Sequence, residues 1–198
     1  MFIIQGNMGN SVLFINACAR KKSRTRILAD KLISRLNMPF EEICLVDYPF
    51  PAVNEDYLKK RDQLIAAGDF QHSMFIPAHQ FSEADTIVIA APYWDLSFPA
   101  TVKQYLELVN VVGITFKYSA EGIPVGLCKA DKLFYVSTAG GPYVPDTYGF
   151  GYVKALAENY YGIQEVRKIE AVGLDIDGAD VNAIMTDALS ALEEMELG

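Results

Sequence analysis

The sequence predicts an α/β fold, a doubly wound parallel sheet of five strands in a single domain spanning residues 1–198. Five short apolar runs alternate with stretches whose apolar residues recur every three or four positions, which is typical of strands alternating with amphipathic helices. The third run, Thr86-Ile-Val-Ile-Ala-Ala91, does not alternate with polar residues, as expected for a strand buried on both faces. With 51% hydrophobic and 21% charged residues, the chain can bury a core without disulfides or a structural metal.

The first half of the chain supplies three strands and their connecting helices. Asn37 and Pro39 predict the end of the first helix, and Gly68 interrupts a long, mostly helical stretch. The predicted elements of this half are strands at residues 11–16, 42–46 and 85–91, and helical stretches at residues 22–36 and 54–82.

The second half continues the alternation after one interruption. Pro99 favours a helix start, whereas residues 113–130 predict a hairpin or looped excursion, because two short extended segments flank a turn with Gly and Pro. The last helix has the apolar stripe of a helix packed on a sheet. The predicted elements of this half are helices at residues 99–112, 149–161 and 179–196, and strands at residues 131–137 and 164–174.

The charge distribution points to a small anionic ligand. The net charge of −8 argues against a general nucleic-acid binder. Five of the 17 lysines and arginines nevertheless lie within the seven residues 20–26. A single basic cluster on an acidic protein favours binding of a small anion.

The apolar runs and the cysteine content predict the cellular compartment of the protein. The longest apolar runs are the size of strands and shorter than a membrane span, and residues 5–10 interrupt the apolar N-terminus, so we expect neither a membrane span nor a secretory signal. Cys18, Cys44 and Cys128 have no metal-ligand spacing, and their odd number is typical of a reducing cytoplasm.

In a doubly wound sheet, ligands bind beyond the carboxyl ends of the strands. The loop after the first strand, residues 17–26, lacks the glycine patterns of dinucleotide and NTP sites. It places Ser23, Arg24 and Thr25 at a helix start, where backbone N–H groups, hydroxyls and a guanidinium favour a phosphate. A capped helix start with solvated arginines is the alternative interpretation.

The same loop allows a second hypothesis. Cys18 is followed after five residues by Arg24 and Thr25, a spacing that resembles low-molecular-weight protein tyrosine phosphatases, whose thiolate attacks phosphorus. The loop has no glycine, and Pro145-Asp146 reverses the Asp-Pro order of the general-acid motif. Catalysis by Cys18 and Arg24 therefore stays an alternative, and Cys18 is interpreted as a small apolar side chain.

The loop after the third strand, residues 91–99, carries the only tryptophan of the chain between two prolines. The prolines fix the loop and leave neighbouring backbone amides available, which suits a flat heteroaromatic ligand. An aromatic turn that merely closes the core is the alternative. The candidate binding residues are Tyr93, Trp94, Asp95 and Leu96.

The loop after the fourth strand runs Thr138-Ala139-Gly140-Gly141. Its glycines allow the backbone to approach a ring closely, although a simple tight turn explains them as well. Together the three loops predict a site for a phosphate, a ring and a ring edge. That combination describes FMN.

Four segments occur in a fixed order between residues 92 and 141. They are Pro92-Tyr-Trp-Asp-Leu-Ser-Phe-Pro99, Val102-Lys-Gln-Tyr-Leu-Glu-Leu-Val109, Gly113-Ile-Thr-Phe-Lys-Tyr118 and Gly140-Gly141. In this order they resemble the FMN-dependent NAD(P)H:quinone and azo reductases of flavodoxin-like fold. The resemblance covers most of residues 11–197.

The resemblance implies an FMN-binding role for particular positions. Residues 23–25 match the phosphate site, with Ala17 where relatives often have a serine. Residues 93–96 match the segment that hydrogen-bonds the isoalloxazine ring through its backbone. Residues 138–141 match the turn at the pyrimidine edge, with Ala139 where many relatives have an arginine.

The resemblance further implies an oxidoreductase that takes hydride from NADH or NADPH and passes electrons through FMN to a small quinone-like or azo acceptor. It implies a homodimer with the acceptor pocket between subunits, and we expect Phe116, Tyr118 and Tyr143 to line that pocket. The flavin carries the chemistry, so no catalytic side chain is expected. A flavodoxin-like electron carrier with the same FMN is the alternative.

Two further patterns predict no metal site. His72 and His79 lie in a helical region without an acidic or cysteine partner at ligand spacing. The acidic segment 175–180 lacks the glutamate that an EF-hand needs at position 186, which is Thr186, so we expect it to cap the last helix.

Overall fold

The computed structural model describes residues 11–197, which form a five-stranded sheet with helices on both faces and a separate small hairpin. The expectation about a secretory signal concerns earlier residues and lies outside this range. The strands are β1 (Val12–Asn16), β2 (Phe40–Cys44), β3 (Thr86–Ala90), β4 (Phe116–Tyr118), β5 (Pro124–Gly126), β6 (Lys132–Thr138) and β7 (Glu165–Ala171). The α-helices are α1 (Arg24–Leu36), α2 (Glu55–Ala67), α3 (Ile76–Glu83), α4 (Ala100–Val109), α5 (Phe150–Leu156) and α6 (Val181–Glu194).

The large sheet is parallel throughout, with the strand order β2-β1-β3-β6-β7. This order confirms the predicted doubly wound α/β class and is that of a flavodoxin-like fold. From β1 the chain forms β2 on one side and β3 on the other, so the connections diverge between β1 and β3. Such a switch point leaves a crevice beyond the carboxyl ends of the strands.

The sheet is buried because helices cover both of its faces. Phe14 of β1 packs in an apolar cluster with residues of α1 and α6, whereas its neighbour Ile15 packs with residues of α3, α4 and α5. Alternate residues of a strand point to opposite faces, so the unbroken apolar runs of β1 and β3 fill both cores. None of the helices between residues 11 and 197 is long and apolar enough to span a membrane.

Several elements differ from the predicted bounds. β2 begins and ends two residues earlier than predicted, and its first three residues are exposed, so they lack the apolar pattern from which a buried strand is predicted. The helical stretch 54–82 divides after α2, where Gly68 adopts a φ of +68°, and a 3-10 turn precedes α3. The helix predicted at 149–161 consists of α5 and a π-helical turn, Ala157–Tyr161, that follows it directly. β7 ends at Ala171, and the residues after it form a loop at the sheet edge.

The excursion at residues 113–130 contains an antiparallel hairpin of β4 and β5, as predicted. Its backbone packs against the end of the π-helical turn so closely that a Cβ on Gly126 would lie 2.2 Å from the backbone nitrogen of Gly162. α5 begins near the carboxyl ends of the strands and runs back along the sheet toward their amino ends. The contact with the end of the π-helical turn therefore places the hairpin near the amino ends of the strands.

Candidate cofactor site

A cleft of about 270 Å³ lies at the carboxyl ends of the parallel strands. The loops after β1, β3 and β6, which the sequence singles out, line three walls, and the loop after β7 forms a fourth. A larger depression of about 880 Å³ follows residues 53–66, but α2 and the two residues before it form it without any residue from the strand ends. The cleft is therefore the candidate site.

The first wall is the start of α1. Ser23 caps the helix, since its hydroxyl accepts a hydrogen bond from the Arg26 N–H at 3.3 Å. Thr25 is buried, and its hydroxyl shares a 2.7 Å hydrogen bond with the hydroxyl of Thr138 at the end of β6. The first turn has no acidic residue. The positive end of the helix dipole is therefore available to an anion.

Arg24 extends across the mouth of the cleft to the loop after β7. Its guanidinium donates to the Asp175 carboxylate at 2.8 Å and to the Leu174 carbonyl oxygen at 3.4 Å. Both side chains of this ion pair are partly exposed, so the pair contributes little to stability by itself. Arg20 and Lys22 line the same wall and are exposed.

Arg26, from the same basic cluster, contacts the sheet instead of the cleft. Its guanidinium donates to Asp30 at 2.6 Å and to Glu42 at 3.0 Å, and lies 5.0 Å from the ring centre of Phe14. Partial burial opposes ionisation of Glu42, but hydrogen bonds from Arg26 and Asn16 hold the pKa of that carboxyl below its usual value. The basic cluster thus divides into a structural arginine and cations that face the cleft.

The second wall is the loop after β3, of which Pro92, Tyr93 and Trp94 line the cleft. A two-residue turn, Asp95 and Leu96, follows directly after them. Trp94 and Ser97 exchange two backbone hydrogen bonds, of 3.0 and 2.8 Å. Between them, Asp95 and Leu96 have φ angles of +51° and +68°. Two successive left-handed residues define a type I′ turn, which a bulky residue such as leucine adopts at a cost. Such strain is found mostly at functional sites.

This turn corrects the expectation that the amides of residues 93–96 are all available to a ligand. The Tyr93 N–H donates to the Thr138 carbonyl at 3.0 Å, and the Trp94 N–H donates to Ser97. The N–H groups of Asp95 and Leu96 have no acceptor between residues 11 and 197, and both residues are exposed. Two amides of the four therefore remain free for a ligand.

The third wall, Thr138–Gly141, is joined to the loop after β7 by backbone hydrogen bonds of 2.9–3.1 Å. A Cβ on Gly140 would lie only 2.5 Å from the Oδ2 atom of Asp175, so glycine allows this close approach. Gly141 has open space around it. In these hydrogen bonds between the two loops, the N–H groups of Gly173, Leu174 and Asp175 donate to the carbonyl oxygens of Gly141, Ala139 and Gly140, respectively.

The sequence patterns do not identify Asp175 as a cleft residue, because the acidic segment 175–180 predicts only a cap for the last helix. In the structure Asp180 caps α6 by accepting from the Ala183 N–H at 3.0 Å, whereas Asp175 belongs to the cleft. The parallel direction of the fifth strand was the available signal, because it brings the loop after that strand to the same sheet edge.

Ala17 and Cys18 follow β1 and are buried, Cys18 with 9% of its surface exposed. Ala17 therefore offers no polar side-chain contact to a ligand. Burial raises the pKa of the Cys18 thiol, although the Ser23 hydroxyl and the charge of Arg26 oppose the increase. A nucleophilic cysteine needs a lowered pKa and access to substrate. The structure thus argues against the phosphatase alternative.

The three predicted pocket residues do not meet at the cleft within one chain. Phe116 is 5% exposed and packs against Tyr118 and Tyr160, with ring centres 5.5 and 4.8 Å away. Phe116 is therefore part of the hairpin core in the single chain, and its place in a pocket between subunits stays a prediction. Tyr118 is 51% exposed on β4, outside the cleft lining. Tyr143 follows the third wall and is 75% exposed.

Both histidines make local contacts. The Nδ1 atom of His72 accepts from the Met74 N–H at 3.1 Å, and the Nε2 atom of His79 lies 2.8 Å from the Phe70 carbonyl oxygen. Among the described residues, no group of three or more His, Cys, Asp or Glu side chains is arranged to hold a metal ion.

A family model described as flavodoxin-like fold matches residues 10–195 of the chain. An FMN-dependent NADH:quinone oxidoreductase of Clostridium beijerinckii is 36% identical over 196 residues, which cover 93% of this chain and 97% of that protein. FMN-dependent NADH:quinone oxidoreductase 2 of Clostridium acetobutylicum is 34% identical over 197 residues, with the same two coverages. The chain belongs to the family of FMN-dependent NADH:quinone oxidoreductases. The family resemblance seen in the sequence is confirmed.

Solved azoreductases have the same fold as this member of the quinone oxidoreductase family. An azoreductase from Bacillus anthracis Sterne superposes with a TM-score of 0.80 at 24% identity, covering 92% of this chain and 96% of that one. An FMN-dependent NADH-azoreductase from Bacillus anthracis Ames Ancestor, in complex with FMN, gives a TM-score of 0.78 at 24% identity, covering 93% and 96%. At this identity the likeness concerns the fold alone.

Proposed function

We propose that the chain binds FMN in the cleft and passes electrons from NADH to quinone or azo acceptors. The observation that carries the proposal is the pairing of a helix start without acidic residues and a turn with two free N–H groups at the switch point of the sheet. The printed names of the relatives at 36% and 34% identity supply the reaction.

The first wall fits the phosphate of FMN. The backbone N–H groups at the start of α1 and the dipole of the helix favour an anion there. Ser23 and Thr25 hold the helix start in place, and Arg24, Arg20 and Lys22 add positive charge beside it. Ala17 contributes no hydrogen bond. One phosphate site, with no glycine-rich turn for a pyrophosphate, favours FMN over FAD.

The second and third walls fit the ring. The N–H groups of Asp95 and Leu96 are free to donate to ring acceptors, and the strained turn holds them in one orientation. Tyr93 and Trp94 complete the second wall, and Thr138–Gly141 would contact the pyrimidine edge. Ala139 places no cation at that edge.

FMN, when bound, accepts a hydride from the nicotinamide and supplies the electrons that reduce the acceptor. The residues of the cleft bind and orient it, and hydride transfer from the nicotinamide to the flavin requires no proton from them. Arg24 forms an ion pair with Asp175 at the mouth of the cleft. NADH is the donor in the names of both relatives.

A homodimer completes the acceptor pocket in this proposal. Trp94 and Tyr143 are exposed beside the cleft, but Tyr118 lies on the hairpin, away from the cleft of its own chain. A second copy of the chain would bring its Tyr118 against the first copy's cleft, with Phe116 as support beneath it. The exposed apolar side chains of the hairpin, Ile123 and Val125, suit such an interface.

The compartment that fits this function is the cytoplasm. All three cysteines are free thiols in the structure, as a reducing compartment requires. The acidic net charge of −8 makes a nucleic acid an unfavourable partner, so the proposed partners are a small acceptor and a second copy of the chain.

Reconstitution and turnover test the proposal. After loading with FMN and desalting, we expect one FMN per chain and NADH oxidation that depends on added quinone or azo compound. Retention of FAD but not FMN would contradict the cofactor assignment. Flavin reduction without acceptor turnover would favour the electron carrier. Turnover of p-nitrophenyl phosphate that is lost in Cys18→Ser would favour the phosphatase.

A further inference from the structure

Beneath the second wall of the cleft, four polar side chains lie at neighbouring positions: Tyr135 and Ser137 are buried, whereas Tyr93 and Glu170 are half-buried. Tyr93 precedes the turn, Tyr135 and Ser137 lie on β6, and Glu170 lies on β7. The register of β6 and β7 places Ser137 beside Glu170. Burial raises the pKa of Tyr135, and the charge of Glu170 and the neighbouring Tyr93 raise it further, while the Ser137 hydroxyl lowers it. We name these four residues the interior polar cluster.

Each member of the interior polar cluster has one buried oxygen without a hydrogen-bond partner in residues 11–197. These are the three hydroxyls and the Oε2 atom of Glu170. Tyr135 and Ser137 are only 2% and 3% exposed. Buried polar groups are almost always paired, with protein atoms or with ordered water, because an unpaired group has lost its hydration. Several such oxygens around one place are what a buried water needs.

The interior polar cluster connects the surface with the cleft. At one end, the Oε1 atom of Glu170 lies 2.8 Å from the Lys168 ammonium, which also donates to Asp146 at 2.6 Å. Asp146 lies in the exposed segment after the third wall. At the other end, Tyr93 lines the cleft. A proton entering at Glu170 would pass only hydroxyls and water on its way to Tyr93.

The proposed reaction needs such a proton. NADH, a quinone and one proton give NAD⁺ and a hydroquinone, so the hydride supplies two electrons and one hydrogen, and solvent supplies the other. A neutral hydroxyl can accept a proton on one side and give up its own on the other. Burial raises the pKa of Tyr135, which keeps its hydroxyl in this neutral form.

The geometry points to a new role for these residues: the interior polar cluster binds ordered water and conducts the proton of quinone reduction from Glu170 to the cleft at Tyr93. The proton demand rests on the proposed function. The water site rests on the buried oxygens alone.

Thermal unfolding of the cofactor-free chain tests the water site. In Tyr135→Phe and in Ser137→Ala the bound water loses a partner, and we expect each substitution to lower the Tm by roughly 2–4 °C. If the cluster is dry, removing an unpaired hydroxyl relieves a penalty, and Tyr135→Phe raises the Tm. A raised Tm would overturn the inference.

Rapid mixing of the FMN-loaded protein tests the proton path. We expect Tyr135→Phe to slow reoxidation of the reduced protein by quinone by roughly tenfold or more, with FMN content and the rate of reduction by NADH unchanged. Tyr105→Phe is the matched control, since Tyr105 is equally buried and its hydroxyl equally unpaired, but it lies on α4 outside the cluster. It should slow neither step.

The outcomes separate the inference from the proposed function. A lowered Tm with unchanged reoxidation in Tyr135→Phe would leave a water site without a path and overturn the proton role. Equal slowing in Tyr105→Phe would overturn it as well, because the effect would then follow loss of any buried hydroxyl. If the unsubstituted FMN-loaded protein fails to reduce quinones, the proposed function fails, and the Tm results still decide the water site.

Discussion

Two walls of the cleft, the start of α1 and the Trp94–Ser97 turn, both offer a ligand backbone N–H groups, but for different structural reasons. A helix leaves its first N–H groups without internal partners whatever its sequence, so the α1 wall needs only a cap and a favourable charge. The turn frees the N–H groups of Asp95 and Leu96 only because both residues are held with positive φ angles. Substitutions that alter charge should therefore affect the first wall, and those that alter backbone conformation should affect the second.

The largest effect is expected for Arg24 in the first wall. Arg24→Ala removes a guanidinium from the mouth of the cleft and should weaken FMN binding by about 1.5–3 kcal/mol, which is roughly ten- to 150-fold in affinity. Titration of the cofactor-free protein with FMN measures the change.

Arg26→Ala is the matched control for this substitution. Arg26 comes from the same basic cluster but contacts Asp30, Glu42 and Phe14. Its loss should lower stability and leave the FMN affinity within about threefold. Equal losses of affinity in the two variants would mean that the basic cluster acts through its total charge, and not through the placement of Arg24.

The second wall should respond to shape and not to charge. Leu96→Val keeps an apolar side chain, but a β-branched residue tolerates a φ of +68° poorly, and we expect a loss of roughly 1–2 kcal/mol in the free energy of unfolding. Leu96→Gly relieves the strain and should be at least as stable as the parent, with FMN affinity kept. If valine and glycine behave alike in urea unfolding, the turn is not strained.

The third wall offers a closely matched pair of glycines. In Gly140→Ala the new methyl group meets the Asp175 carboxylate and displaces it from Arg24, whereas Gly141→Ala enters open space. Gly140→Ala should therefore be less stable than Gly141→Ala by about 1 kcal/mol, since the ion pair at stake is partly exposed. Chemical denaturation of both variants measures the difference, and equal stabilities would show that the contact between the two loops is unimportant.

The smallest effect is expected for the pH dependence of the stability that the contact between Arg26 and Glu42 contributes. The pKa of Glu42 is lowered in the folded chain, so its contribution to stability is present above the unfolded value of 4.5 and is lost as the pH falls through the folded pKa. We expect a loss of less than about 1 kcal/mol below pH 4, and Glu42→Gln should remove this part of the acid dependence. An unchanged pH profile of unfolding in Glu42→Gln would contradict the contact with Arg26.

The alternation of apolar runs determined the parallel sheet and thereby the position of the cleft, because parallel strands end at one edge. The basic residues 20–26 and the capping hydroxyl of Ser23 likewise located the first wall, since a helix start is specified by neighbouring residues. The motifs between residues 92 and 141 indicated the family. These features depend on residues close together in the chain, and a pattern of residue types records them.

Only the tertiary structure decided which groups are free and which are paired. Arg24 meets Asp175 across 151 positions of the chain, and the Tyr93 amide is taken by Thr138, so neither pairing is visible in local patterns. The interior polar cluster likewise depends on the register of β6 with β7. Hydrophobic periodicity specifies the face on which a side chain lies, but the side chain opposite to it is set by strand order and register, which form only when the whole sheet packs.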